Sequence, residues 1–378
     1  MLDHPEWLGK PLIVGGDADS RGVVSTCSYE ARRFGVHSAM ASAEARRLCP
    51  QAIWTHGHFD RYREVSAQVM AILANETPRV ERVSIDEAFI DITPGRFAPE
   101  DPLLVARRIS DRVAALGVTC SIGIGCNKTV AKIASERDKP FGLTIVRPGT
   151  EQRFLAALPV SAMSGIGRSA EERLRRMRIY TLGELSRAPE STLAAIFGVN
   201  GEYMRQRALG LEVSEVTSLD EEREVKSVSN ERTFAKDLTD RSDIEAAIAL
   251  LGESVGRRLR RQGLTGGTVT LKLKYSYGSG RTAQRRLPHP TDDENIFVAV
   301  ALELLDHIWQ EGMHVRLAGI GMSDFDHQGG IQTDLFCEID DRGAQSSDRR
   351  DLSVAIDAVR DKFGDTALSF GRQSRFKK

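Results

Sequence analysis

Val83-Ser84-Ile85-Asp86-Glu87-Ala88-Phe89-Ile90-Asp91 sets two adjacent carboxylates inside an apolar run. Neighbouring side chains on a regular strand point to opposite faces, so Asp86 and Glu87 can serve one site only where the strand turns. The stretch therefore predicts a hairpin, with strands Val83–Ile85 and Ala88–Ile92 and the acidic pair at its tip. Hard carboxylate oxygens in that position suit Mg²⁺, which keeps several waters and is commonly shared with phosphates. An isolated Asp-Glu pair at a hairpin tip is more often simply solvated, so the rest of the chain has to decide.

On either side of this hairpin, amphipathic helices are predicted at 62–75 and 103–116 and strands at 119–124 and 143–146. Residues 58–147 thus read as helices and strands around a small sheet. Before them, residues 1–57 carry the strand-like Pro11–Val14 and Gly22–Cys27 and a helix starting near Tyr29. After them, 148–214 reads as short helices punctuated by Gly and Pro, and 215–225, with Asp220-Glu221-Glu222, as a tether. Residues 226–322 alternate strands at 224–232, 268–277 and 315–322 with helices at 242–262 and 293–310, an α+β domain with helices on one sheet face. In the remainder, 323–378, Leu352, Ala355, Ile356, Val359 and Phe363 recur at helical spacing, which predicts a helix docked on the body by an apolar stripe. The chain is therefore multidomain, of mixed α+β and α/β class.

Composition narrows the function. With 378 residues, 41% hydrophobic and 28% charged, the chain belongs among soluble globular proteins. Cys27, Cys49, Cys120, Cys126 and Cys337 form no C-x-x-C pair, and no His stands at zinc-ligand spacing. That speaks against a structural zinc or a disulfide framework and for a reducing compartment. No apolar run approaches the ~20 residues of a membrane span, and no signal-peptide pattern is present, so the expectation is a cytoplasmic protein with no membrane partner. The net charge of −1 is unevenly spread. Residues 226–290 hold 13 Lys/Arg against 6 Asp/Glu, and residues 323–351 hold 3 against 8. A local basic face suffices to attract phosphates, although arginines on a solvated helix face would look the same.

Two glycine motifs bear on phosphate chemistry. Gly125-Cys126-Asn127-Lys128-Thr129 is not a P-loop, because Asn rather than Gly precedes the Lys, and this weighs against an NTPase or kinase. Val160-Ser-Ala-Met-Ser-Gly165-Ile-Gly167-Arg-Ser-Ala-Glu-Glu-Arg-Leu174 has the helix-hairpin-helix form. Its glycines allow a tight turn whose N–H groups, with the following helix N-terminus, face a phosphate without reading sequence.

Ser28-Tyr-Glu-Ala-Arg32-Arg-Phe-Gly-Val36, Ser84-Ile-Asp-Glu-Ala88, Gly123-Ile-Gly-Cys-Asn-Lys-Thr-Val-Ala-Lys-Ile-Ala134 and Asp138-Lys-Pro-Phe-Gly142 occur in that order. The ordered set resembles the Y-family translesion DNA polymerases, the bacterial branch most closely, and the resemblance runs from Gly9-Lys-Pro11 to Met322. It implies a right-hand polymerase fold with fingers at 1–57, palm at 58–147, thumb at 148–214 and little finger at 226–322. It also implies low-fidelity, template-directed synthesis with two Mg²⁺ ions, Asp86 ligating both and Glu87 the one at the primer 3′-hydroxyl. By the same resemblance Tyr29, Arg32 and Lys139 grip the dNTP triphosphate, and Ala39 and Met40 line the nascent base pair. Gly165, Gly167, Arg232, Arg281, Arg285 and Arg286 hold primer-template DNA. Gln332-Thr-Asp-Leu335-Phe336 looks like the peptide by which such polymerases dock on the bacterial sliding clamp, and the enzyme is expected to act as a monomer.

One departure stands out. The family opens with a strand carrying an Asp that bridges both metals, and by motif spacing roughly 20 residues are wanting here, with Asp3 no substitute. The expectation is a polymerase weakened in the chain as written; the alternative is a non-catalytic paralogue that binds DNA and the clamp. A helix-hairpin-helix glycosylase or nuclease fares worse, because no catalytic Lys/Asp pair can be placed after the hairpin.

Overall fold

In residues 10–55, β1 (Leu12–Gly15) lies between β2 (Val24–Cys27), which is antiparallel to it, and β3 (Ile53–Thr55), which is parallel. Two short helices, α1 (Tyr29–Arg32) and α2 (Ser42–Leu48), complete this layer around buried Ile13, Val24, Ala31 and Val36. α1 is a single turn. Ser28 caps it by accepting from the Ala31 N–H (3.3 Å) while also accepting from the Leu12 N–H (3.0 Å), which fixes the turn to β1.

The next segment contains α3 (Phe59–Ala74), β4 (Val80–Arg82), β5 (Ala88–Ile90), α4 (Pro102–Ala115), β6 (Ile122–Ile124), α5 (Lys128–Arg137) and β7 (Leu143–Ile145). α4 starts where Asp101 accepts from the Leu103 N–H (2.8 Å) and Pro102 takes the first helical position. Val105, Ile109 and Val113 of α4 bury against Ile72 of α3. β4 and β5 form an antiparallel hairpin, and β6 and β7 a parallel pair, and the two pairs stay unjoined among the described residues. Gly123 is obligatory in β6, since a Cβ there would lie 2.0 Å from the Ala131 carbonyl oxygen of α5. The expected strand at 83–85 is corrected to Val80–Arg82. The N–H groups of Val83 and Ser84 both donate to the Glu87 carbonyl (3.0 and 3.1 Å), which closes residues 83–87 into a turn and leaves Val83 and Ile85 exposed.

Five helices follow: α6 (Glu151–Ala156), α7 (Arg168–Arg176), α8 (Leu182–Arg187), α9 (Glu190–Phe197) and α10 (Gly201–Leu209). Leu155, Met163, Leu174, Leu182 and Leu193 share one core with Val130, Ile133 and Ala134 of α5, so this layer and α5 are held as one piece.

The last segment runs β8 (Ser227–Leu238), α11 (Arg241–Gln262), β9 (Gly266–Ser276), β10 (Ser279–Thr291), α12 (Glu294–Ile308) and β11 (Val315–Phe325), then α13 (Arg342–Phe363). The sheet order is β10-β9-β11-β8, antiparallel throughout. Alternation along β9 buries Val269, Leu271 and Leu273 under α11 and α12 and leaves the other face open. α13 does pack on this domain, but its expected apolar stripe is corrected: Leu352 and Phe363 are 59% and 66% exposed, whereas Ser353 and Arg360 are buried. Of the stripe only Ile356 and Val359 are half-buried, and ion pairs to α11 join them in setting which side faces in.

This computed structural model describes residues 1–96, 100–221, 224–276, 279–325, 342–364 and 367–368. They fall into two compact units, one of residues 1–9 with 56–222 and the other of residues 10–55 with 223–378. In the second unit Arg21 donates to the Phe234 carbonyl (3.1 Å) and pairs with Asp237, which ties the N-terminal layer to β8. Phe297 is wholly buried between α11 and the sheet. Phe297→Ala is expected to cost about 3–5 kcal/mol in urea denaturation of the full chain.

Candidate active site and nucleic-acid interface

Asp86, exposed, and Glu87, half-buried, sit next to each other in the turn joining β4 to β5. Three local bonds hold the turn. The Ser84 hydroxyl donates to Asp86 Oδ1 (2.6 Å) and accepts from the Asp86 N–H (3.2 Å), and the Ile85 carbonyl accepts from Ser66 of α3. Arg82 braces the same loop through the Ser84 carbonyl (3.2 Å).

α5 backs the hairpin with cations. Lys128 pairs with Glu81 of β4, and Lys132 pairs with Glu87 and, at 3.2 Å, with Glu136. Glu136 in turn accepts from Lys139 (2.7 Å). A continuous chain of charge, Glu87–Lys132–Glu136–Lys139, thus joins one hairpin carboxylate to a lysine singled out in the sequence. Burial works against charge on Lys132, yet the hydrogen bonds to Glu87 and Glu136 outweigh it and hold the ammonium above its ordinary range. Burial likewise opposes ionisation of Glu136, and its two lysines overcome that and lower its pKa. Sequence reasoning passed over Lys128, Lys132 and Glu136. Their signal was present, since spacings of four place all three on one side of α5.

Carboxylate oxygens at the hairpin tip fit magnesium in kind. In number they are two, because no cluster of three or more His, Cys, Asp or Glu able to hold a metal occurs among the described residues. Tyr29 and Arg32 fall in the other unit from the carboxylates and Lys139. Both are exposed on α1, with the Arg32 guanidinium 5.9 Å from the Tyr29 ring centre. Ala39 is exposed with φ +67°, while Met40 is buried in its own layer's core and presents no surface.

In the hairpin before α7, Gly165 has φ +96°, which favours glycine. Gly167 precedes the helix, where a Cβ would meet nothing within 4 Å, and no side chain caps the first turn of α7. Its leading N–H groups therefore face open space. Arg207 of α10 anchors the hairpin by donating to the Ser164 carbonyl (2.8 Å) and hydroxyl (2.9 Å) and to Thr129 Oγ1 of α5 (2.7 Å). Beneath it, buried Glu212 accepts from the Thr129 N–H (2.9 Å) and the Tyr203 hydroxyl (2.6 Å). Burial would raise the Glu212 pKa, but these hydrogen bonds win and lower it.

The open face of the β10-β9-β11-β8 sheet is small and polar. Ser229, Thr270, Gln284 and Ser323 line a shallow groove of about 260 Å³ whose floor includes Gly319 and Gly321. A Glu231–Lys272 pair (2.7 Å) crosses it. Register decides where the four arginines stand. Arg286 lies opposite Thr268 on the open face with its side chain 82% exposed, whereas Arg232, Arg281 and Arg285 lie opposite Ala318, Leu273 and Val269 on the helix side. Arg285 is engaged there by Glu303 of α12. Gln332, Leu335 and Phe336 lie outside the described residues.

Against known proteins, residues 1–136 match the model of the impB/mucB/samB family and residues 225–335 that family's C-terminal domain. DNA polymerase IV of Lactococcus lactis is 38% identical over 330 residues, 86% of this chain and 90% of that protein. DNA polymerase IV of Dehalococcoides mccartyi is 36% identical over 376 residues, 99% of this chain and 94% of that protein. Among solved structures, a Y-family DNA polymerase chimera superposes with a TM-score of 0.73 at 24% identity, covering 86% of this chain and 95% of that one. An insertion ternary complex of Dbh DNA polymerase gives 0.55 at 25% identity, covering 86% and 94%.

Because the folded state lowers the Glu212 pKa, the stability this carboxylate contributes is present above its unfolded value, near pH 4.5, and is lost as pH falls through the folded one. Glu212→Gln is expected to lower the urea midpoint at pH 7 by the equivalent of about 1.5–3 kcal/mol. The gap between variant and unaltered chain should narrow when the titration is repeated near pH 4.

Proposed function

The chain belongs to the impB/mucB/samB family, and on that premise we propose that it is a template-directed DNA polymerase of low fidelity that acts in translesion synthesis. It adds nucleotides from dNTPs to a primer 3′-hydroxyl. The observation that carries the reading is the pair Asp86 and Glu87, presented together at a braced turn. Magnesium, when bound there, neutralises charge on the attacking and leaving oxygens of phosphoryl transfer. Ser84 orients Asp86 through Oδ1. Lys132 pairs with Glu87 and fixes its position.

Tyr29 and Arg32 bind the triphosphate, the arginine by paired hydrogen bonds and the phenol as a neutral donor; their joint exposure on α1 supports this. Lys139 adds a point charge to the same group. The hairpin of Gly165 and Gly167 and the open sheet face with Arg286 hold the duplex by its backbone, as a sequence-independent grip requires. Gln332, Leu335 and Phe336 tether the enzyme to the sliding clamp, which raises local concentration without a strong contact.

Two carboxylates are a sparse set for two ions, and small misplacements of reacting atoms cost about 10²-fold. The chain as given should therefore extend primers slowly, and a rate matching that of the Lactococcus lactis relative in the same assay would overturn this. A second reading, a DNA- and clamp-binding protein without catalysis, is favoured by one feature: Lys132 already neutralises Glu87. Primer extension separates the two readings. Asp86→Ala and Glu87→Ala are each expected to reduce the extension rate on the order of 10³-fold with DNA affinity unchanged. No extension by the unaltered chain at any magnesium concentration leaves the non-catalytic reading. Arg286→Ala should weaken DNA binding and reduce the dependence of log affinity on log salt by about one unit.

A further inference from the structure

α13 turns charge toward the domain where a docked helix ordinarily turns leucine. Asp357 accepts from Arg260 Nε (2.7 Å) and lies 3.9 Å from Arg257 Nε, while Asp361 pairs with Arg257 (2.6 Å) and Arg261. In return Arg360 pairs with Glu253 of α11, and Ser353 donates to Glu294 at 3.4 Å. The side chains of Arg257 and Arg260 are left only 13% and 7% exposed, yet Leu352, Val354 and Phe363 of α13 remain at least half exposed.

Arg257, Arg260 and Arg261 are three and four residues apart, so they line one side of the last turns of α11. Covering arginines with carboxylates incurs a desolvation cost that apolar side chains of equal volume would avoid. Such an arrangement is poor glue and a good mask. Guanidinium groups take carboxylate and phosphate oxygens in the same planar, paired geometry, and the surface lies in the helix layer, apart from the open sheet face.

We propose that the side of α11 bearing Arg257, Arg260 and Arg261 is a second surface for the DNA phosphate backbone, which α13 covers with Asp357 and Asp361 in the place of phosphates. The proposal rests on the chain being a DNA-binding polymerase. Helix and duplex compete for Arg257 and Arg261, while Arg260 stays held by Glu294 of α12 and the Asp292 carbonyl (3.2 Å) as well, so bound α13 holds DNA affinity down and its release raises it.

The test uses the full chain and fluorescence anisotropy on a primer-template duplex over a range of salt. Asp357→Lys with Asp361→Lys is expected to bind about tenfold tighter at low salt, with log affinity falling about 2–3 units more steeply against log salt. Hydrogen exchange across residues 352–363 should rise in the same variant. Adding Arg257→Gln and Arg261→Gln should return affinity and slope to those of the unaltered chain. A gain that persists in this quadruple variant would come from the added lysines alone and overturns the proposal. So does an unchanged affinity with the helix released, or a helix that stays docked after charge reversal. Should the double variant misfold, Asp361→Lys alone, at a half-exposed position, is expected to give about a threefold gain, and no gain overturns the proposal equally. The unaltered chain in the same titration tests the polymerase reading separately, since that reading fails if it binds no DNA.

Discussion

One helix meets two chemistries, and the first unit is organised around it. The inward residues of α5, Val130, Ile133 and Ala134, are buried with Leu155, Leu174 and Leu182 of the following helices. Its other side sends Lys128 and Lys132 to Glu81 and Glu87 of the carboxylate hairpin. At its start Asn127 caps the helix by accepting from the Val130 N–H (3.0 Å) and donates to the Gly210 carbonyl (2.7 Å). Ten residues therefore fix the acidic turn and the Gly165–Gly167 hairpin to a common frame. Burial anchors the frame, because about 25 cal/mol per Å² of apolar surface is not screened by salt, and the ion pairs only aim it.

Gly123 shows how closely that frame is drawn. With the Ala131 carbonyl 2.0 Å from where a Cβ would stand, β6 and α5 pack backbone to backbone, closer than any side chain allows. The lysines of α5 consequently sit near enough to the hairpin to pair with its carboxylates. A wider spacing would leave Glu87 without its lysine and the turn held by its own local bonds alone.

Much of this was legible in the chain, and what was not has a common cause. The acidic turn follows from a local rule, that adjacent side chains diverge on a strand, and so could be placed before its strands were; the first strand moved to Val80–Arg82 because Val83 and Ser84 both bond the Glu87 carbonyl. Apolar alternation in β9 and the long helices α11 and α12 was equally local. The sides taken by Arg232, Arg281, Arg285 and Arg286 were not, because they depend on the pairing of β8 with β11 for the first and of β10 with β9 for the others, and a shift of one residue exchanges every one of them. α13 misled for the same reason. Its apolar spacing is real, but the carboxylates of Asp357 and Asp361 find arginines about a hundred residues earlier, and no window along the sequence contains both partners.

That pairing also revises what the basic stretch means. Of its cations, Arg241, Arg257, Arg260, Arg261, Lys272 and Arg285 all have acidic partners within the domain. About half of the positive charge in 226–290 is therefore spent on internal structure, and the open face of the sheet is hydroxyl-rich and floored by glycine. A Cβ at Gly319 or Gly321 would stand 2.6 Å from the Glu231 side chain or 2.9 Å from the Ser229 side chain, so a larger residue there would push the neighbouring strand's side chains aside. A surface of that kind grips by close approach and many weak polar contacts rather than by a strong positive field. Held against a duplex as proposed above, it would slide over any sequence and any distorted base pair without a large penalty, the mechanical condition for copying a damaged template.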